Sequence, residues 1–189
     1  MSDLENKQAY GGTFKTTDVK TESRDGVDIG IVAGYIASFK REDNSYPDEF
    51  VPGCFAQSIQ EHKERGERPL RMLYMHQRDA LIGGFPIQKM MEDDRGLWGV
   101  GEIALTDEQS TSVYKKCRLG YLSDFSIGFQ TQKDWVEMVK TDDGRVVRKI
   151  KRANIFEGSI VDEPMNPDAT IEAVKSNGQA KSLEDLGSL

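Results

Sequence analysis

The sequence predicts a single mainly β domain with flanking helices, an α+β fold whose strands form a partly closed β-barrel. Three observations predict it. Short apolar or alternating segments recur along the chain, bounded by Gly, Asp and Pro turns, as strands require. Only two stretches carry helical spacing instead. At 189 residues and 37% hydrophobic content, the chain is long enough for one core of ordinary size but not for two full ones. A flat α+β sheet is the alternative arrangement of the same elements.

In chain order, residues 1–15 are polar and unpatterned and are expected to form a flexible N-terminal tail. The domain proper is expected over residues 16–175. Thr16 to Ser23 alternates as an extended segment, Arg24-Asp25-Gly26 is a turn, and Val27 to Phe39 is a strongly apolar strand. A polar loop from Arg41 to Glu49 runs into Phe50-Val51-Pro52-Gly53. Cys54 to Arg65 then reads as a helix, with Phe55, Ile59 and His62 along one stripe.

Leu70 to Met75 is a strand ending at His76, and Ile82 to Met91 a second one broken by Gly83, Gly84 and Pro86. The turn Asp93-Asp94-Arg95-Gly96 leads into the strand Leu97 to Leu105. Thr106 followed by Gln109 is a capping-box pattern, opening a helix that Gly120 closes. The strand Leu122 to Gln130 precedes a long hairpin turning at Asp142-Asp143-Gly144, and Ile155 to Val161 is a further strand. Residues 176–189 form a second polar tail.

The formal net charge of −7 argues against a nucleic-acid binder, which needs clustered cations. The basic run Arg145 to Arg152 alternates with Val and Ile like a solvated strand face. No run is long and apolar enough for a membrane helix, and MSDLENKQAY lacks the order of a signal peptide, so a cytoplasmic protein is expected. Cys54 and Cys117 lack metal or redox spacing and are expected to be reduced, with Cys54 a minor candidate nucleophile. No nucleotide, flavin or zinc motif is present, and no cofactor is assigned.

Two histidines exhaust the histidine chemistry. His62, in the charged helix end QEHKERGER, reads as an ordinary surface or half-buried side chain. Strand parity puts His76 on one face with Leu70, Met72 and Tyr74, at a scaffold edge where catalytic groups often sit. Taken alone, a structural histidine is the default reading there too.

Ser126 lies in YLSDFSIGFQTQ, where Phe125, Ile127 and Phe129 form the core face. By parity it shares the opposite face with Leu122, Asp124, Gly128 and Gln130, so it need not be buried, and Gly128 leaves an open patch beside it. A strand serine in such a place is usually inert. The rival hydrolase pattern, the G-x-S-x-G nucleophile elbow, is not met by SDFSIGF.

Five blocks in order change the weighting: FVPGCF, the MLYMHQ strand end, DRGLWGVGEI, KCRLGYLSDFSIGF and IFEGSIVDEPMNPDA. Together, over roughly Gly34 to Ile171, they resemble the prohead (capsid maturation) proteases of tailed phages, the HK97-type serine peptidase family. The resemblance implies a β-barrel of the herpesvirus maturation-protease type. It implies His76 and Ser126 as catalytic base and nucleophile, with Glu157 as the acidic third member and Asp124 as the fallback. Gly158-Ser159 follows Glu157 where the family carries a β-branched residue, which allows a local shift of that strand. Ser159 is a distant second choice for nucleophile and reads rather as structural.

The implied substrates are the major capsid protein with its scaffold segment, any separate scaffold, and the protease itself, cut in a tail, most readily the C-terminal one. The implied place is the assembling prohead in the host cytoplasm, and a homo-oligomer is compatible. A non-catalytic capsid-assembly binding module is the alternative function. It has no need of the His76–Ser126 pair.

Overall fold

The computed structural model describes residues 23–39, 48–66, 68–162 and 171–175. Both expected tails, most of the segment expected to extend from Thr16, and most of the loop from Arg41 lie outside the described residues. Within them the chain is mainly β, with two α-helices of more than one turn. Twelve strands are named in chain order: β1 (Ser23–Arg24), β2 (Val27–Ser38), β3 (Asp48–Phe50), β4 (Leu70–Tyr74), β5 (Leu81–Phe85), β6 (Met90–Glu92), β7 (Gly96–Ala104), β8 (Asp124–Gln130), β9 (Val136–Lys140), β10 (Val146–Ile150), β11 (Asn154–Val161) and β12 (Ile171–Lys175). The helices are α1 (Ala56–Glu64) and α2 (Glu108–Arg118).

Nine strands make one sheet in the order β1-β2-β7-β5-β4-β11-β8, with β12 also pairing β2 and β6 also pairing β7. Pairing is antiparallel except between β4 and β11. The strand order is open among the described residues. A backbone hydrogen bond from Ile171 N–H to the Ser123 carbonyl bridges from β12, which pairs β2, to the start of β8 at the far end of the order. The mainly β class with flanking helices therefore stands, without a closed barrel among the described residues.

Local chemistry explains most boundaries. Asp25 and Gly26, at φ 54° and 80°, make the tight turn that folds β1 onto β2. Pro86 removes a ladder donor and splits the apolar stretch after Leu81 into β5, a 3-10 turn and β6. Gly120 supplies the left-handed residue (φ 74°) that ends α2.

The start of α2 differs from the capping-box expectation. The N-cap is Asp107, one residue later than Thr106, and its Oδ1 accepts from Ser110 N–H at 2.8 Å. A carboxylate accepts this bond better than a hydroxyl and also suits the positive end of the helix dipole. Asp107→Ala is expected to lower the midpoint of a denaturant titration. An unchanged midpoint would show that the cap is dispensable.

The α1 N-terminus is capped from outside: Glu92 of β6 accepts from Phe55 N–H at 2.9 Å and from Gly53 N–H. Burial raises the pKa of this carboxyl against the pull of those donors.

Phe55, Phe85, Phe125 and Phe129 are fully buried. The Phe85 and Phe125 rings meet edge-on at 5.6 Å, and each such side chain contributes on the order of 2–3 kcal/mol by burial alone. A second sheet, β3-β10-β9, carries the basic run. Its cations are paired with carboxylates: Arg148 with Asp48 (3.1 Å), Lys151 with Glu137 (2.7 Å) and Arg152 with Glu61 (2.9 Å). Two short elements escape the sequence reading: β3, which continues the polar loop, and β12.

Candidate active site

The β8 end of the large sheet brings three distant segments side by side, because β11 lies between β4 and β8. Its register with β8 sets Ser159 opposite Ser126 and Gly158 opposite Ile127. Paired residues share a face, so the Phe125/Ile127 side is core and the Ser126/Ser159 side carries the polar groups.

Glu157 reaches that polar face through a bulge. Ile155 pairs with Phe129 on the core side, whereas Glu157, two residues on, pairs with Gly128 on the other side. Simple alternation would have sent Glu157 into the core with Ile155. The extra residue, Phe156, reverses the phase and re-aims the carboxylate. The local shift expected near Gly158-Ser159 thus falls just before Glu157. Helix α1 braces it: Ser58 Oγ accepts from Ile155 N–H and His62 Nε2 donates to the Ile155 carbonyl, both at 2.9 Å. His62 is a half-buried structural side chain, as its context suggested.

Gly128 does not form the open patch expected of it. A Cβ there would collide with the Glu157 carboxylate, so the missing side chain is the space the acid occupies. Ser126 is likewise buried, at 2% exposure, because the face expected to be open is covered by Glu157 and the His76 loop. Gly128→Ala is expected to push the carboxylate aside, costing about 1–3 kcal/mol of stability by overpacking. Any reaction that needs that carboxylate in place is expected to slow on the order of 100-fold. Thermal melts and single-turnover kinetics would check both; a neutral variant would mean that Glu157 has room to spare.

His76 is not a strand residue, and strand parity does not place it. β4 ends at Tyr74, and Met75 and His76 both adopt left-handed φ values of 55° and 56°. The Gln77 N–H to Tyr74 carbonyl bond (3.1 Å) closes this turn, whose two central residues both have positive φ. It turns the imidazole away from the Leu70/Met72 face and over the Ser126/Ser159 face. Two successive non-glycine residues at positive φ concentrate backbone strain at one point. Met75 N–H donates to the Ile160 carbonyl at 3.0 Å and helps hold it.

The result is a continuous hydrogen-bonded chain. His76 Nδ1 lies 2.8 Å from Glu157 Oε1, and His76 Nε2 lies 2.8 Å from Ser126 Oγ. A carboxylate only accepts, so Nδ1 carries the proton and Nε2 is left to accept from the Ser126 hydroxyl. Glu157 is nearly inaccessible (side chain 3% exposed) while the imidazole is open to solvent at 42%.

The other candidates lie elsewhere or are chemically quiet. Asp124 Oδ2 accepts from Ser123 Oγ at 2.7 Å, and the carboxylate on His76 is that of Glu157. Cys54 is buried, and burial together with nearby Glu92 pushes its thiol far above the range where it ionises. Gly83 and Gly84, expected to break a strand, lie within β5 between the ladders to β4 and β7. A side chain at Gly83 would strike the Glu102 backbone, so close strand packing accounts for that glycine.

A family model described as caudovirus prohead serine protease matches residues 16–183. Among solved structures, that of the bacteriophage T4 capsid assembly protease, gp21, aligns with a TM-score of 0.56 at 9% identity, covering 85% of this chain and 95% of that one. Similarity at that identity concerns the fold. No curated protein sequence matches.

Proposed function

The chain belongs to the caudovirus prohead serine protease family, and from that premise we propose that it cleaves capsid and scaffold proteins, and itself, with Ser126 as nucleophile. It is a serine peptidase of phage capsid maturation. His76 is the general base, and Glu157 orients it. The observation that carries this assignment is the Ser126–His76–Glu157 hydrogen-bonded chain, with both links at 2.8 Å.

The chemistry follows from that order. A serine hydroxyl is a weak nucleophile unless a base removes its proton as it attacks. His76 Nε2 takes the proton from Ser126 Oγ as the scissile carbonyl is attacked, then returns it to the leaving amine. Glu157 keeps the Nδ1–H tautomer in place and stabilises the imidazolium formed in between. Water then attacks the acyl-enzyme with His76 again as base. The chain order histidine, serine, acid differs from that of the chymotrypsin, subtilisin and α/β-hydrolase arrangements. The roles are therefore assigned by geometry, not by sequence position.

The substrate is an extended peptide. Beyond the Ile171–Ser123 bond at its start, β8 pairs among the described residues only with β11, so the rest of its other edge is where a segment would add by main-chain hydrogen bonds alongside Ser126. Capsid proteins as the source of that segment are supported by the family and by the name of the T4 protein, a capsid assembly protease. The finer reading of the sheet as a herpesvirus-type barrel is supported by the Ile171–Ser123 bond between its two ends. The proposed place of action is the assembling prohead in the host cytoplasm.

Intact-mass spectrometry of the major capsid protein co-produced with this chain tests the proposal. Discrete new capsid-protein termini are expected, together with cuts in the protease's own tails. Intact capsid protein in the presence of assembled shells would overturn it in favour of a non-catalytic assembly module.

A further inference from the structure

Ser159 is fully buried on β11, directly across the ladder from Ser126. Its hydroxyl touches two members of the site at once. Ser159 Oγ donates to Glu157 Oε2 at 2.7 Å and accepts from the His76 backbone N–H at 3.2 Å. A hydroxyl has one proton to give and lone pairs to receive, so both bonds form together.

We infer that Ser159 is a positioning residue of the peptidase, holding acid and base in register from one point. This rests on the reading of Ser126, His76 and Glu157 as the reacting groups. Glu157 has two oxygens, and only Oε1 serves His76. Without a donor on Oε2, the buried carboxylate can rotate about its last bond and offer Nδ1 a poorly aligned lone pair. The backbone bond addresses the base from the other side. His76 sits in a left-handed turn with a ring 42% exposed, and Ser159 ties its main chain to the same strand that carries the acid. The hydroxyl thus fixes the distance between Cα of the base and the carboxylate that aims it.

A hydroxyl is also the chemistry that fits this position. An aliphatic side chain on this face would leave both Oε2 and the His76 N–H without the partners they have now. Nucleophilic attack by Ser159 itself is disfavoured, since its proton is directed at Glu157 and no imidazole nitrogen reaches it.

Ser159→Ala, Ser159→Thr and Ser159→Val, made in the full chain, test the inference. Two readouts are the labelling rate of Ser126 by a small fluorophosphonate and single-turnover cleavage of a capsid-protein peptide. Ser159→Ala is expected to slow both on the order of 10- to 100-fold, the usual cost of removing a partner that orients a functional side chain, with KM changed less than about twofold. Thr and Val have nearly the same shape, so Ser159→Thr is expected to outpace Ser159→Val about tenfold at comparable thermal stability. Wild-type rates in Ser159→Ala, or equal rates for the Thr and Val variants, would overturn it. Labelling of Ser126→Ala as fast as wild type is a distinct result: it removes Ser126 as nucleophile, and the role of Ser159 with it.

Discussion

Replacing Ser126 by alanine is expected to lower kcat on the order of a million-fold, about 8 kcal/mol of barrier, while leaving the fold intact. The change deletes one atom. That atom makes one hydrogen bond in the site, to His76 Nε2, and its carbon sits on the polar face of β8, away from the packed Phe125 and Ile127 side. The melting temperature is therefore expected to move by only a few degrees, the scale of about 1 kcal/mol in a domain of this size. Single-turnover cleavage and intact-mass analysis of co-produced capsid protein would measure the loss. Unchanged cuts would rule Ser126 out as nucleophile.

The second large effect is expected at Glu157→Gln, near ten-thousand-fold in kcat with KM little changed. The substitution keeps the volume at a side chain 3% exposed and changes only what its two terminal atoms offer. If the amide nitrogen faces His76, the imidazole must put its proton on Nε2, where it can no longer accept from Ser126. If the amide oxygen faces His76, the NH2 group meets Ser159, whose own proton then loses its acceptor. Neither orientation satisfies all partners. Asp124→Asn is the matched control and is expected to leave kcat within about threefold, because the Asp124 carboxylate takes its bond from Ser123. A Glu157→Gln enzyme with near-normal kcat, beside a crippled Asp124→Asn, would transfer the orienting role to Asp124.

Much of this was legible in the sequence because strands announce themselves by alternation. Phe125, Ile127 and Phe129 named the core face of β8, and Asp25-Gly26, Pro86 and Gly120 punctuated the chain where the structure turns. The family followed from five ordered blocks and agrees with the matched family model. Three features were not legible, each for a physical reason. The left-handed pair Met75-His76 uses residues that carry no turn signal, since tertiary bonds to Ile160 and Ser159 hold the conformation that glycine or asparagine would ordinarily supply. The bulge at Phe156 reverses a period of two, which a pattern of apolar residues does not display. The burial of Ser126 and the occupied space at Gly128 depend on a carboxylate 31 and 29 residues further along the chain.

The position of β11 between β4 and β8 also governs when the enzyme comes into being. His76 follows β4 in its turn and Ser126 lies on β8, two strands that do not pair with each other, and the strand between them is synthesised after both. A nascent chain carrying His76 and Ser126 therefore has neither Glu157 nor the strand that sets the two within reach. Insertion of a late strand between two earlier ones is a non-local event, slow compared with forming a helix or a hairpin. On the proposed assignment, the order of synthesis thus acts as a timer: the hydrogen-bonded chain from Ser126 through His76 to Glu157 is assembled only once β11 has inserted between β4 and β8.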